Sequence, residues 1–220
     1  GIDDLRLEET ALSEIKEREV LVKVMAAGIC GSDIPRIYKT GTYSYPLIPG
    51  HEFSGTVIET GLKADKKWMG KRVGIFPLIP CGECEPCRKK QYEMCRHYSY
   101  LGSRTNGGFA EYVAVPEENL IELPEEVSYE VAAMLEPMAV AVHAMRKSGV
   151  MKENTVVVYG LGTIGLLLCM FLLDAGVRDI YVIGNKEFQK RMADLLGISE
   201  THYCDCRTRE VSKWLQEQTG

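Results

Sequence analysis

One stretch of the sequence decides the fold: Val156-Val157-Val158-Tyr159-Gly160-Leu161-Gly162-Thr163-Ile164-Gly165. A β-branched apolar run enters a Gly-x-Gly-x-x-Gly turn and a second apolar run leaves it, which is the pattern of a buried strand followed by a helix. The first glycine permits the turn, the second lets the backbone approach a pyrophosphate, and the third lets helix and strand pack. The helix N-terminus faces the anion. We therefore predict a dinucleotide site that includes Gly160, Gly162, Thr163, Ile164 and Gly165.

Strand and helix patterns alternate on both sides of this turn. The predicted strands are residues 155–159, 180–183 and about 202–203, and the predicted helices are residues 163–175, 187–196 and 209–218. An Ala- and Met-rich segment before them, residues 128–147, predicts one or two further helices. Repeated β-α units form a parallel sheet. We therefore assign residues 128–220 to linker helices and the first half of a doubly wound α/β sheet of the Rossmann type.

The end of the second strand in this half bears on the choice of cofactor. NAD-specific folds of this type usually carry an acidic residue here, which binds the adenosine ribose. In this sequence Ile183 is followed by Gly184, Asn185 and Lys186, so the charge that would repel a 2'-phosphate is absent and a cation is present. Asn185 and Lys186 are thus predicted cofactor-binding residues, and the pattern favours NADP. The alternative is that Lys186 faces solvent and the cofactor is NAD.

The first 127 residues have a different pattern. Apolar and polar residues alternate in several short runs, and frequent Gly and Pro residues separate them. The predicted strands are residues 19–27, 55–59, 71–75 and 109–115. We predict that residues 1–127 form a mostly-β domain, shaped as a small irregular barrel.

Composition and charge exclude several classes of protein. The 220 residues include 26 Lys and Arg against 31 Asp and Glu, the net charge is −5, and no basic block occurs, so no nucleic-acid partner is predicted. The N-terminus has no secretion pattern, which favours a cytoplasmic location. Residues 156–173 are uncharged, but three glycines and a β-branched start indicate a strand, a turn and a helix. No membrane span is predicted.

The eight cysteines are the first chemical signal. In a cytosolic chain, clustered thiols bind metal more often than they form disulfides. Cys81, Cys84 and Cys87 are three residues apart, and Cys95 follows eight residues after Cys87. Four thiolates form a closed tetrahedral zinc site, which leaves no position for substrate and is therefore structural. A disulfide loop or a set of free thiols is the alternative.

A second group of metal donors is spread along the sequence. Cys30 lies in the run 28–33, His51 and Glu52 lie in the run 50–55, and Glu136 precedes a proline. A mixed set of sulphur, nitrogen and oxygen ligands leaves room at zinc for water or substrate, as catalysis requires. Taken singly, these residues are more typical of a buried thiol, a core or surface histidine and a helix-start glutamate. Composition and spacing alone do not join them into a site.

A resemblance to a known family does join them. Gly50-His51-Glu52-x-x-Gly55, followed by Gly61, resembles the zinc signature of medium-chain alcohol dehydrogenases. The four-cysteine loop, the run Gly107–Tyr112 and the glycine-rich turn follow in that family's order, so the resemblance covers nearly the whole chain. It implies a GroES-like catalytic domain before the Rossmann domain, one catalytic and one structural zinc ion, NAD or NADP, and a homodimer or homotetramer.

The resemblance also implies roles for individual residues. Cys30, His51 and Glu136 are implied zinc ligands, while Glu52 binds the zinc directly or through water. Ser32 stands at the family's proton-relay position, so Ser32 and Glu52 are the implied catalytic residues. In the polyol dehydrogenase branch a glutamate stands at the position of Glu136, where simple alcohol dehydrogenases commonly have cysteine. The implied substrate is therefore a polyol.

Two further runs narrow the implied substrate. Gly31–Lys39 and Leu101–Arg104 resemble galactitol-1-phosphate 5-dehydrogenases more than sorbitol dehydrogenases. The substrate implied is then a small polyol phosphate, and the cations that would bind its phosphate are Arg36, Lys39 or Arg104.

Two alternatives remain open. One is a zinc dehydrogenase of the sorbitol/L-iditol or L-threonine type, and the other is a non-catalytic, zinc-stabilised nucleotide-binding protein. Because members of the family begin before Gly1 and continue past Gly220, we expect the chain to be truncated.

Overall fold

The computed structural model describes residues 1–12 and 14–220. They form two compact units, Gly1–Glu136 and Pro137–Gly220. The boundary predicted from the sequence, between residues 127 and 128, precedes this division by one short helix.

Strands predominate in the first unit, and helices and strands alternate in the second. The strands are β1 Glu19–Gly28, β2 Glu52–Thr60, β3 Arg72–Ile75, β4 Leu78–Ile79, β5 Ser99–Tyr100, β6 Tyr112–Pro116, β7 Leu120–Glu122, β8 Val156–Tyr159, β9 Ile180–Gly184 and β10 Tyr203–Asp205. The α-helices are α1 Asp33–Pro35, α2 Glu85–Arg88, α3 Tyr129–Ala133, α4 Leu135–Ser148, α5 Thr163–Asp174, α6 Glu187–Leu195 and α7 Val211–Thr219. A π-helical turn, Arg36–Thr40, continues α1 directly.

An antiparallel sheet forms the first unit. Its five strands have the order β6-β1-β2-β3-β7. Val20 and Val22 of β1, Val57 of β2 and Val73 of β3 are fully buried in one apolar core, because alternate residues of a strand point to the same face. The mostly-β character that the sequence predicts for this region is confirmed. The predicted run 109–115 becomes β6, which begins only at Tyr112.

A parallel sheet forms the second unit. Its three strands have the order β10-β9-β8, and every residue of the central strand β9 is buried, as is usual for a parallel sheet covered on both faces. The uncharged segment 156–173 is β8, a turn and most of α5. Within the described part of the chain, no helix combines the length and apolar character that crossing a bilayer needs.

Candidate metal centres and nucleotide site

Two neighbouring strands bring the first set of metal donors together. β1 ends at Gly28, which pairs with Glu52 at the start of β2. Cys30 follows the end of β1, and His51 directly precedes β2, so all three donor side chains lie at one end of this strand pair. One ligand atom from each of Cys30, His51 and Glu52 lies within 4.8 Å of the other two.

This cluster has the chemistry of a zinc site with an open position. His51 and Glu52 are 4% and 8% exposed, and Cys30 is half-buried. A thiolate, an imidazole and a carboxylate are all ligands that zinc accepts, and three protein ligands leave a fourth position free for substrate. The residues present therefore fit a catalytic zinc ion.

Burial and neighbouring charges together shift the pKa values of the cluster. Burial raises the pKa of the Cys30 thiol. It also raises the pKa of the Glu52 carboxyl, because its effect is larger than the lowering effect of the neighbouring Cys30 and His51. Burial opposes protonation of His51, but the carboxylates of Asp33, Glu136 and Glu52 outweigh it and raise the pKa of the imidazole. A divalent cation would supply the positive charge that this group of donors lacks.

Asp33 supports the cluster from behind. Its side chain is fully buried, and it accepts hydrogen bonds from the Cys30 backbone N–H (3.0 Å) and from Arg36 Nη1 (3.1 Å). His51 Nδ1 lies 3.3 Å from Asp33 Oδ1, although the angle does not meet hydrogen-bond geometry. Asp33 therefore contacts two of the three donor residues, and Arg36 neutralises its buried charge.

Glu136 lies outside the three-residue cluster, in the first turn of α4. The Tyr100 hydroxyl donates a hydrogen bond to Glu136 Oε1 at 3.1 Å, and the Tyr100 ring meets the His51 ring edge-on at 5.9 Å between centroids. Burial, followed by the charge of Glu136, raises the pKa of Tyr100, so the phenol remains a donor. The sequence predictions missed Tyr100, because no spacing pattern distinguishes it from other tyrosines.

Ser32 is exposed beside the cluster. Its hydroxyl donates a hydrogen bond to Cys30 Sγ at 3.3 Å, and its backbone N–H approaches the same sulphur at 3.5 Å. The hydroxyl is therefore in contact with both a metal-donor atom and solvent.

The four-cysteine loop brings its sulphurs into one group. The Sγ atoms of Cys84 and Cys87 are 3.4 Å apart, those of Cys84 and Cys95 are 3.8 Å apart, and those of Cys81 and Cys87 are 4.0 Å apart. Four sulphurs at about 2.3 Å from a tetrahedral zinc lie roughly 3.8 Å from one another. Backbone N–H groups of Arg96 and Cys87 lower the pKa of Cys84 to about 6, which favours the thiolate. The residues fit a closed zinc site.

The glycine-rich turn connects β8 to α5. Gly160 has φ +99°, and a Cβ on Gly165 would lie 1.9 Å from the Gly160 carbonyl oxygen, so both positions require glycine. A Cβ on Gly162 would meet nothing within 4 Å, and no side chain caps the first turn of α5, where Thr163 and Ile164 lie. The turn therefore offers an open approach to the N-terminus of α5, as a pyrophosphate needs.

Asn185 and Lys186 lie between β9 and α6 with exposed side chains. Their backbone N–H groups both donate to Gln189 Oε1, at 2.8 Å and 3.1 Å. Their backbone N–H groups are thus engaged, while their side chains remain available to a cofactor, and among the described residues no carboxylate lies within 4 Å of the Lys186 ammonium.

Comparison with known proteins identifies the family. A model described as the alcohol dehydrogenase GroES-like domain matches residues 16–125, half of the chain. The chain belongs to the medium-chain alcohol dehydrogenase family. The predicted fold class of this medium-chain dehydrogenase chain, a GroES-like domain followed by a Rossmann-type parallel sheet, is confirmed.

Relatives of this medium-chain dehydrogenase chain include two polyol-phosphate enzymes. It is 37% identical over 198 residues to galactitol 1-phosphate 5-dehydrogenase of Escherichia coli strain K12, which covers 90% of this chain and 57% of the relative. It is 41% identical over 224 residues to D-arabitol-phosphate dehydrogenase of Enterococcus avium, and this match covers 100% of this chain and 63% of the relative. The chain thus spans about three fifths of the length of the curated relatives.

A solved structure has the same fold. The Sinorhizobium meliloti 1021 protein, described as a zinc-binding dehydrogenase bound to NADP, matches with a TM-score of 0.90 at 30% identity, covering 97% of this chain and 62% of that one.

Proposed function

We propose that this chain carries the zinc site and the front part of the nucleotide site of an NAD(P)-dependent dehydrogenase. The enzyme would oxidise a secondary hydroxyl of a polyol or polyol phosphate, such as galactitol 1-phosphate. The observation that carries the proposal is the mutual approach of Cys30, His51 and Glu52, within 4.8 Å of one another. In this proposal residues 1–127 are the GroES-like catalytic domain, and residues 128–220 are the linker helices and the first half of the Rossmann domain.

The zinc ions divide into two kinds. Cys30, His51 and Glu52 would hold the catalytic ion, with Glu136 held ready by Tyr100 as a further ligand or as a partner of bound water. The loop cysteines would hold a structural ion, because four thiolates leave no open position. Its ligands would be Cys81, Cys84, Cys87 and Cys95.

In the reaction, the residues of this chain position and deprotonate the substrate. When bound, zinc would supply Lewis acidity at the substrate hydroxyl, and NAD(P)+ would supply the hydride acceptor for the carbon that carries this hydroxyl. Asp33, paired with Arg36, would keep Cys30 and His51 in position at the metal site. The exposed Ser32 hydroxyl would take the hydroxyl proton and pass it to solvent, which leaves a ketone as the product.

The nucleotide would occupy the turn between β8 and α5. The pyrophosphate would lie over Gly162 at the start of α5, near Thr163 and Ile164. The adenosine ribose would reach Asn185 and Lys186, and the unpaired Lys186 ammonium supports NADP over NAD.

An activity assay on the full-length protein tests the proposal. We expect bound zinc and polyol-dependent reduction of the nicotinamide, with a higher kcat/KM for NADP+ than for NAD+. Galactitol 1-phosphate, galactitol, sorbitol and L-threonine are compared side by side. Turnover of L-threonine alone would contradict the substrate class, and zinc and nucleotide binding without any turnover would indicate a binding protein.

A pair of glycine substitutions tests the nucleotide site. Gly162→Ala should leave the melting temperature unchanged, because its Cβ enters open space and its φ of −76° suits any residue. It should weaken NADP+ binding by about tenfold or more, because the methyl group occupies the approach of the pyrophosphate.

Gly165→Ala is the matched comparison. Its Cβ would lie 1.9 Å from the Gly160 oxygen, so we expect overpacking that costs about 1–3 kcal/mol of folding free energy. Calorimetry and NADP+ titration measure the two effects. Normal NADP+ affinity in Gly162→Ala would contradict the placement of the pyrophosphate.

A further inference from the structure

An open cleft adjoins the residues that support the candidate catalytic zinc. It has a volume of about 340 Å³ and is lined by Arg36, the loop 40–42 and Tyr43. Arg36 also bonds to Asp33, which contacts Cys30 and His51. One ion pair, Arg36–Asp33, therefore connects the lining of the cleft to the metal donors.

A second arginine stacks on Tyr43, one of the residues that line this cleft. The Arg104 guanidinium lies 3.9 Å from the ring centre of Tyr43 and 4.5 Å from that of Tyr98. In the described residues no carboxylate lies within 4 Å of it, and its one side-chain hydrogen bond is a long one, 3.5 Å to the Tyr98 hydroxyl. Two aromatic rings thus hold the guanidinium plane while most of its N–H donors stay free.

Arg36 and Lys39 are in different situations. Arg36 donates to the fully buried Asp33, so part of its donor capacity neutralises that carboxylate. Lys39 is exposed at the end of the π-helical turn and lacks a planar donor edge. The hydroxyls of Thr40 and Thr42 already donate to backbone carbonyls, so the cleft's free donors are mainly guanidinium N–H groups.

We propose that Arg104 determines substrate specificity by binding the phosphate of a phosphorylated polyol at the Tyr43 side of this cleft. The inference rests on the proposed function and adds the residue that binds the phosphate of the substrate. A dianion suits a preorganised guanidinium, which offers two parallel N–H bonds. In a polyol 1-phosphate oxidised at carbon 5, the phosphate and the reacting hydroxyl lie at opposite ends of the molecule. The phosphate must therefore bind beside the zinc cluster rather than in it.

Substitution of Arg104 in the full-length protein tests this assignment. We expect Arg104→Met to lower kcat/KM for galactitol 1-phosphate by about tenfold or more, because charge-assisted hydrogen bonds are lost. Since kcat/KM for galactitol should not change, the ratio of the two kcat/KM values should fall by the same factor. Arg104→Lys keeps the charge without the planar edge, so its kcat/KM for galactitol 1-phosphate should lie between those of the unsubstituted protein and Arg104→Met. Arg146→Met is the matched control, because it removes an exposed arginine at the end of α4.

Inorganic phosphate gives an independent measurement. It should inhibit galactitol oxidation by the unsubstituted protein competitively, and Arg104→Met should raise the inhibition constant about tenfold or more. Equal melting temperatures exclude a folding defect. An unchanged substrate ratio and inhibition constant in Arg104→Met would overturn this assignment and leave the proposed function intact. Inactivity of the unsubstituted protein on galactitol, sorbitol and their phosphates would overturn the proposed function and this inference with it.

Discussion

Cys30→Ser is expected to reduce kcat by about a thousandfold or more while the protein stays folded. The Lewis acidity of zinc contributes several kcal/mol to stabilising the transition state, and each 1.4 kcal/mol is about tenfold in rate. Serine is a poor zinc ligand, so the zinc content should fall from about two ions per chain to about one. Turnover and metal analysis on the same sample measure both effects.

Cys206→Ser is the control for this substitution. Cys206 is half-buried just beyond β10, and none of the donor groups described above includes it. Its replacement should leave zinc content and kcat unchanged. Full activity of Cys30→Ser with one remaining zinc ion would show that the first cluster is not the catalytic centre.

Cys87→Ser should instead lower stability before it affects chemistry. Structural zinc binds zinc-finger peptides with an apparent free energy of roughly 10–16 kcal/mol, all of it coupled to folding. In this larger domain, whose apolar core contributes separately, we expect a loss of about 4 kcal/mol or more. Thermal and denaturant unfolding measure the loss. At temperatures where both proteins are folded, kcat should be close to that of the unsubstituted protein.

The comparison with Cys30→Ser separates the two zinc sites. Each variant should lose one zinc ion, but only Cys87→Ser should melt at a clearly lower temperature. A Cys87→Ser protein with unchanged melting would contradict a structural role for the loop. Removal of zinc by a chelator should lower the melting temperature of the unsubstituted protein and have a smaller effect on Cys87→Ser.

The strand and helix pattern could be predicted because it depends on local periodicity. β9, for example, begins at the apolar residue Ile180 and ends at Gly184, and α5 ends at Asp174, two residues before Gly176. The four loop cysteines could be grouped for the same reason, since residues three apart on a short loop cannot separate far. The approach of Cys30 to His51 needs the antiparallel pairing of β1 and β2, for which the sequence offered only a family resemblance.

The contact between Tyr100 and Glu136 beside the metal donors could not be predicted, because it joins distant segments. Tyr100 and Glu136 are separated by 36 residues, and their hydrogen bond links Glu136 to the tyrosine whose ring meets His51. Arg36 and Arg104 were equivalent in the sequence as candidate phosphate-binding cations. They differ only through Asp33 in one case and two tyrosine rings in the other.

The different partners of these two arginines matter for engineering and for natural divergence. A change at Arg36 leaves a buried carboxylate without its cation next to a metal ligand, so selection on stability should keep that position nearly invariant. A change at Arg104 disturbs only exposed tyrosines, so the position is free to vary. A library randomised at position 104 should therefore yield folded enzymes with new substrate ranges, whereas one randomised at position 36 should yield mostly unstable protein.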